Sequence, residues 1–142
     1  MMVALYDIGF AQADVTDVRK LIRKSNELWF EALAKNDPST FEARYTEDCW
    51  IMPADAPALC GPQAAKENFE TMYNDHDIRG GKFITIDLFG VGTDIIAEVG
   101  FRQLYNSKKV MIDDGKYIVL WKRTPEGWKI FRESYNSSRN LK

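Results

Sequence analysis

Near the C-terminus two aromatic-rich runs, Gly115–Arg123 and Trp128–Asn136, flank Thr124-Pro125-Glu126-Gly127. Proline suits the second position of a tight turn and glycine its last, so the segment predicts a hairpin of two long strands. The stretch "GKYIVLWKRTPEGWKIFRESYNSS" holds too many aromatics for one flat buried face and too many charges for a closed core. Strands of this composition must curl around something. A helix-capped pocket meets both demands.

Upstream, Asp14 and Thr16 are candidate N-caps of a long helix. Val18, Leu21, Ile22, Ser25, Trp29, Ala32 and Leu33 form its apolar stripe at steps of three and four. Asn36-Asp37-Pro38 ends that helix and opens a second, Pro38–Tyr45, with Asp37 as cap and Pro38 in the first turn. "DCWIMP" (Asp48–Pro53) reads as a short strand, stopped by a loop with three prolines. Pro62 opens a third helix to about Asn74. Phe83–Val91 and Ile95–Tyr105 then form a long hairpin, followed by a short strand at Val110–Ile112 and the closing hairpin. The expected fold is α+β: three N-terminal helices on a strongly curved antiparallel sheet, cone-shaped, with a pocket between the layers.

Alternation splits each strand into two faces. Ile95, Ala97, Val99, Phe101, Gln103 and Tyr105 oppose Ile96, Glu98, Gly100, Arg102 and Leu104. In the last strand Trp128, Ile130, Arg132, Ser134 and Asn136 oppose Lys129, Phe131, Glu133 and Tyr135. Both faces carry large apolar groups, unlike a half-solvated antiparallel sheet. Helices cover one face, and a second copy of the chain is the expected cover for the other, giving a homodimer through the sheet.

Several function classes are disfavoured. With 19 basic and 21 acidic residues in 142 and no long run of one sign, the chain lacks the field that nucleic-acid binding needs. No apolar run approaches membrane-spanning length. Cys49 and Cys60 have no metal-type spacing and read as reduced thiols of a cytoplasmic protein. His76, the only histidine, lies in a polar loop and reads as solvated surface. Zinc-type His/Cys pairs, a Gly-rich phosphate loop and a serine nucleophile motif are not found, so neither metal nor cofactor is expected. Residues 1–13 read as an N-terminal extension packed through Leu5, Tyr6, Ile8 and Phe10, ahead of one domain over 14–138.

The strings "LWFEALAKNDPSTFEARYTEDCWIMP", "GPQAAKENF", "AEVGF" and "DDGKYIVLWKRTPEGWKIFRESYNSS" resemble the SnoaL-like, ketosteroid-isomerase-like branch of the nuclear transport factor two superfamily. The resemblance spans about Asp14 to Ser138. It implies a cone-shaped α+β domain, usually dimeric, with a pocket between sheet and helices, on a fold that hosts many functions. Positions matching the steroid isomerases' catalytic residues are Trp29, Pro53 and the region Lys116–Ile118, which lack that chemistry. Against limonene-epoxide-hydrolase-like members the pocket positions fall near Glu98, Gly100 and Glu133, of which only Glu133 keeps its type.

Glu98 and Glu133 are therefore the candidate catalytic acids, because a carboxyl in an apolar pocket can act as acid or base near neutral pH. The plainer alternative pairs Glu98 with Arg102 across the sheet and turns Glu133 to solvent. Trp29, Tyr45, Trp50, Met52, Phe69, Tyr73, Arg102, Tyr117, Trp121 and Tyr135 are the expected lining for a small apolar molecule, the alternative being an ordinary aromatic core. Three functions follow: a pocket domain for an apolar or aromatic ligand, an acid/base isomerase, cyclase, dehydratase or hydrolase, or a homo-oligomeric assembly module.

Overall fold

The computed structural model describes residues 15–139; the expected cap Asp14 and the extension 1–13 lie outside them. Helix α1 (Val15–Lys35) buries Val18, Ile22, Trp29, Phe30, Ala32 and Leu33, with Asn26 in the same stripe. Leu21, assigned to that stripe, is exposed, because the buried phase runs 18, 22, 26, 29/30 and 33. The helix ends at Asn36, whose φ of 52° turns the chain left-handed, a conformation asparagine tolerates. The Asp37 carboxylate then accepts from Thr40 N at 3.0 Å and Thr40 Oγ1 at 2.7 Å, capping α2 (Pro38–Glu42) with Pro38 in its first turn. α2 is shorter than expected, since Tyr45 already opens the first strand.

The strands are β1 (Tyr45–Met52), β2 (Leu59–Cys60), β3 (Ile78–Phe89), β4 (Ile95–Asn106), β5 (Met111–Thr124) and β6 (Gly127–Ser137). Helix α3 (Ala64–Glu70) runs on into a π-helical turn, Thr71–Asp75. β3 starts five residues earlier than the expected Phe83, and the short strand expected at Val110–Ile112 is the start of β5. The sheet is six-stranded and open, in the order β2-β1-β6-β5-β4-β3.

It is mixed rather than wholly antiparallel, because β1 runs parallel to β6. The meander β3–β6 is tied by short turns that force antiparallel pairing, whereas the whole meander separates β1 from β6. No local turn signal fixes that last pairing. α1 packs on β3 and α3 on β1, leaving the other sheet face uncovered by the described residues.

The inward face of β4 is Ile96, Glu98, Gly100, Arg102 and Leu104, as the alternation implies. β6 breaks its expected alternation. Trp121 pairs with Ile130 and Leu120 with Arg132, so Phe131 is the extra residue of a bulge. Past it the phase flips, and Ile130 and Glu133 both turn inward although the sequence assigns them to opposite faces.

Candidate functional site

Two buried carboxylates lie on the inward face in one cross-strand row, with Glu98 paired to Val119 and Val119 paired to Glu133. Two strand spacings put their backbones about 10 Å apart. Glu98 is 0 % exposed. Its Oε1 accepts from Asn26 Nδ2 at 3.0 Å, Thr85 Oγ1 at 2.7 Å and the Tyr117 hydroxyl at 2.7 Å. Trp121 Nε1 donates to Oε2 at 2.9 Å. One carboxylate thus ties α1, β3, β4 and β5 together. The expected pairing with Arg102 does not form; Arg102 donates to Asp113 at 2.7 Å instead.

Gly100 makes this convergence possible. A Cβ there would stand 2.5 Å from the Tyr117 hydroxyl oxygen and 2.4 Å from the Ile84 carbonyl. The phenol therefore lies across the bare backbone of β4 to reach Glu98. Burial, and the carboxylate it faces, push the Tyr117 hydroxyl well above the ordinary range.

Glu133 is 4 % exposed and does not turn to solvent. It accepts one hydrogen bond, from the Tyr45 hydroxyl at 2.9 Å, and Trp29 Nε1 donates to that hydroxyl at 2.9 Å. Burial raises the Glu133 carboxyl to about 7, against the Tyr45 bond and the charges of Arg102 and Arg44, which pull it down. Arg44 and Arg102, whose charges act on it, keep Arg44 Nε and Nη2 and Arg102 Nε without a partner, and the buried Asn68 does the same with its Nδ2. Burial lowers the Arg44 guanidinium to about 10. Tyr135 is raised to about 12 by burial; its hydroxyl reaches Asn68 Oδ1 only at 3.5 Å, and Arg102 lies 4.4 Å over its ring.

The predicted lining separates into these two clusters and a remainder. Tyr117 and Trp121 belong to Glu98; Trp29 and Tyr45 belong to Glu133, with Arg102 and Tyr135 nearby. Phe69 and Tyr73 stack at 5.8 Å, and Arg79 lies 3.4 Å over the Tyr73 ring. Met52 is half-buried at the end of β1. Trp50 is a correction. It points away from the helices and is 46 % exposed, because Cys49 and Ile51 take the inward positions of β1.

The hollow itself also departs from the expected lining. Trp29, Phe41, Phe69, Phe83 and Tyr117 pack ring on ring, with Trp29–Phe41 and Phe41–Phe69 at 5.2 Å and Phe83–Tyr117 at 5.0 Å. A cleft lies beside them, between α1 and β3, with a volume of about 930 Å³. Its apolar wall is Phe30 and Phe83, and Asn26 and Thr85, two of the donors to Glu98, line it as well. None of the predicted lining residues faces it. Phe30 and Phe83 carry no polar atom that would mark them in the sequence as a lining rather than a core. Asn26 left one signal: a polar residue four after Ile22 and three before Trp29, inside an apolar stripe.

Among the described residues no three His, Cys, Asp or Glu side chains converge as a metal site. No helix there is long and apolar enough to cross a membrane.

No family model matches the chain. No curated protein matches it either. Solved structures do. A domain of unknown function with a cystatin-like fold from Nostoc punctiforme superposes with a TM-score of 0.73 at 14% identity, covering 90% of this chain and 82% of that one. An NTF-2 like protein of unknown function from Shewanella oneidensis gives 0.69 at 16% identity, covering 84% and 98%. A ketosteroid isomerase-like protein from Erwinia carotovora gives 0.66 at 15% identity, covering 85% and 96%. The fold is therefore the NTF2-like, cystatin-like α+β fold, the architecture that the sequence resemblance implies.

Proposed function

We propose that the chain is a small-molecule pocket domain whose ligand enters the cleft between α1 and β3 and lays an apolar face on Phe30 and Phe83. The observation that carries this reading is the cleft itself: about 930 Å³, within the range of roughly 300–1,000 Å³ usual for ligand sites. Two of its polar residues, Asn26 and Thr85, are held in place by Glu98. Titration with 2-naphthalenemethanol, a neutral ring probe, tests it by calorimetry. Saturable binding of one molecule per chain is expected, lost on Ala34→Trp, which fills the cleft from an exposed position of α1. Absence of saturable binding, or binding unchanged by Ala34→Trp, refutes the reading.

A second reading is acid/base catalysis at Glu133. It is favoured by one buried carboxyl raised to about 7, within the field of Arg44 and Arg102, whose unspent N–H groups suit a substrate oxygen. Its measurement is the carboxyl band of Glu133 by infrared difference spectroscopy against Glu133→Gln; a midpoint in the ordinary carboxylate range removes the reading.

The sheet face away from the helices carries Phe101 and Ile118, each about half exposed among the described residues, beside Ile84 and Ile86. A second copy of the chain is the cover we propose. Sedimentation should show a dimer that Phe101→Glu converts to a monomer, and a monomeric wild type overturns it.

A further inference from the structure

We infer that the ligand of the α1–β3 cleft is an amphipathic anion: a small carboxylate whose apolar body covers Phe30 and Phe83 and whose charged end meets the rim. This rests on the pocket reading above and adds the ligand's charge class to it.

The cleft is lined by five cationic side chains, Arg19, Lys20, Arg23, Arg79 and Lys82, against two anionic ones, Glu27 and Glu31. The chain as a whole carries a net charge of −2, so this cleft reverses the sign of the molecule. Arg79 is already committed, its Nη1 donating to the Tyr73 and Ile78 carbonyls and its Nη2 lying 3.3 Å from Asp77. Glu31 is engaged too, 3.6 Å from Lys35. Among the described residues Arg19, Lys20, Arg23 and Lys82 take part in no ion pair.

Arg19 and Arg23 stand four residues apart on one helix, where like charges repel. Lys82 adds a third positive charge from the strand opposite. Nothing in the folding of the domain asks for this clustering, since all four residues are exposed. A bound carboxylate would offset the repulsion and accept charge-assisted hydrogen bonds from guanidinium and ammonium groups. The apolar wall beneath the rim, where Phe83 is only partly buried, favours a ligand with an apolar body over a simple inorganic anion.

The test pairs two probes of one ring system, 2-naphthoate and 2-naphthalenemethanol, titrated by calorimetry at low and at physiological salt. The carboxylate should bind about tenfold more tightly at low salt, the product of two exposed ion pairs, and the advantage should shrink with salt. Arg23→Glu/Lys82→Glu should abolish the carboxylate's advantage over the alcohol, with a native circular dichroism spectrum showing that the variant is folded. If the alcohol binds wild type as tightly as the carboxylate, or the double variant keeps the advantage, the anion inference is overturned and the pocket stands. If neither probe binds, or Ala34→Trp leaves both unchanged, the pocket reading falls and takes this inference with it.

Discussion

Glu133 should make the protein less stable as pH rises from about 5 to 8, the reverse of ordinary acid denaturation. Its carboxyl is raised from the usual 4.5 to about 7 by burial, opposed by Tyr45, Arg102 and Arg44 and slightly reinforced by Glu98. Between those values the native state keeps the proton and the unfolded chain has released it, so unfolding releases a proton and stability falls with pH. The contribution is complete below 4.5 and is lost as pH climbs through about 7. At 1.36 kcal/mol for each pH unit, the whole loss is about 3 kcal/mol. Asp37, lowered to about 2, and Asp48, Asp77 and Glu126, also lowered, act in the opposite sense, but only as acid protonates them below that window. Urea unfolding between pH 5 and 8 isolates Glu133, with wild type compared against Glu133→Gln. The amide keeps an acceptor for the Tyr45 hydroxyl and cannot titrate, so its profile should be flatter by about 3 kcal/mol. Parallel profiles for the two proteins, or a wild type that gains stability across the window, would refute the reasoning.

Three further outcomes follow from the same geometry. Gly100→Ala should cost about 1–3 kcal/mol in urea unfolding, because its Cβ meets the Tyr117 hydroxyl and the Ile84 carbonyl; an unchanged midpoint contradicts the packing. Asn26→Leu leaves Glu98 one donor short and puts an apolar group against a buried carboxylate, for a loss of about 1–3 kcal/mol. Full stability of that variant would show that Asn26 adds nothing. Cys60 is exposed while Cys49 is buried and its thiol pushed up to about 11, so a thiol reagent should titrate one group quickly in the native protein and the second only in denaturant.

Much of the fold was legible because local chemistry wrote it. Asp37-Pro38 marks the break between α1 and α2, Thr124-Pro125-Glu126-Gly127 marks the β5–β6 hairpin, and the alternation of β4 puts Glu98, Gly100 and Arg102 on one face. What escaped was non-local. The parallel pairing of β1 with β6 has no turn to announce it. The bulge at Phe131 changes the phase of β6 with no glycine or proline to signal it. Trp50 was misplaced because an isolated apolar run, Cys49-Trp50-Ile51, does not say which of its members points inward. The cleft was missed because its walls, Phe30 on α1 and Phe83 on β3, are more than 50 residues apart in the chain and meet only through helix–sheet packing.

The two carboxylates show why residue type and position were insufficient to assign roles. Glu98 and Glu133 share one face and flank one residue, Val119. What separates them is the number of donors each receives. Four converge on Glu98, from α1, β3 and β5, and occupy both of its oxygens, which makes it an anchor for the cleft wall. One reaches Glu133, while N–H groups on Arg44 and Arg102 remain unspent, so burial dominates there and a proton is held near neutral pH. Donor count depends on Gly100 letting Tyr117 across the strand and on Asn26 occupying an apolar phase of α1. Both are visible in the sequence only as small or polar residues where larger apolar ones would fit the pattern. Such misfits, more than the acids themselves, locate the chemistry in a fold of this kind.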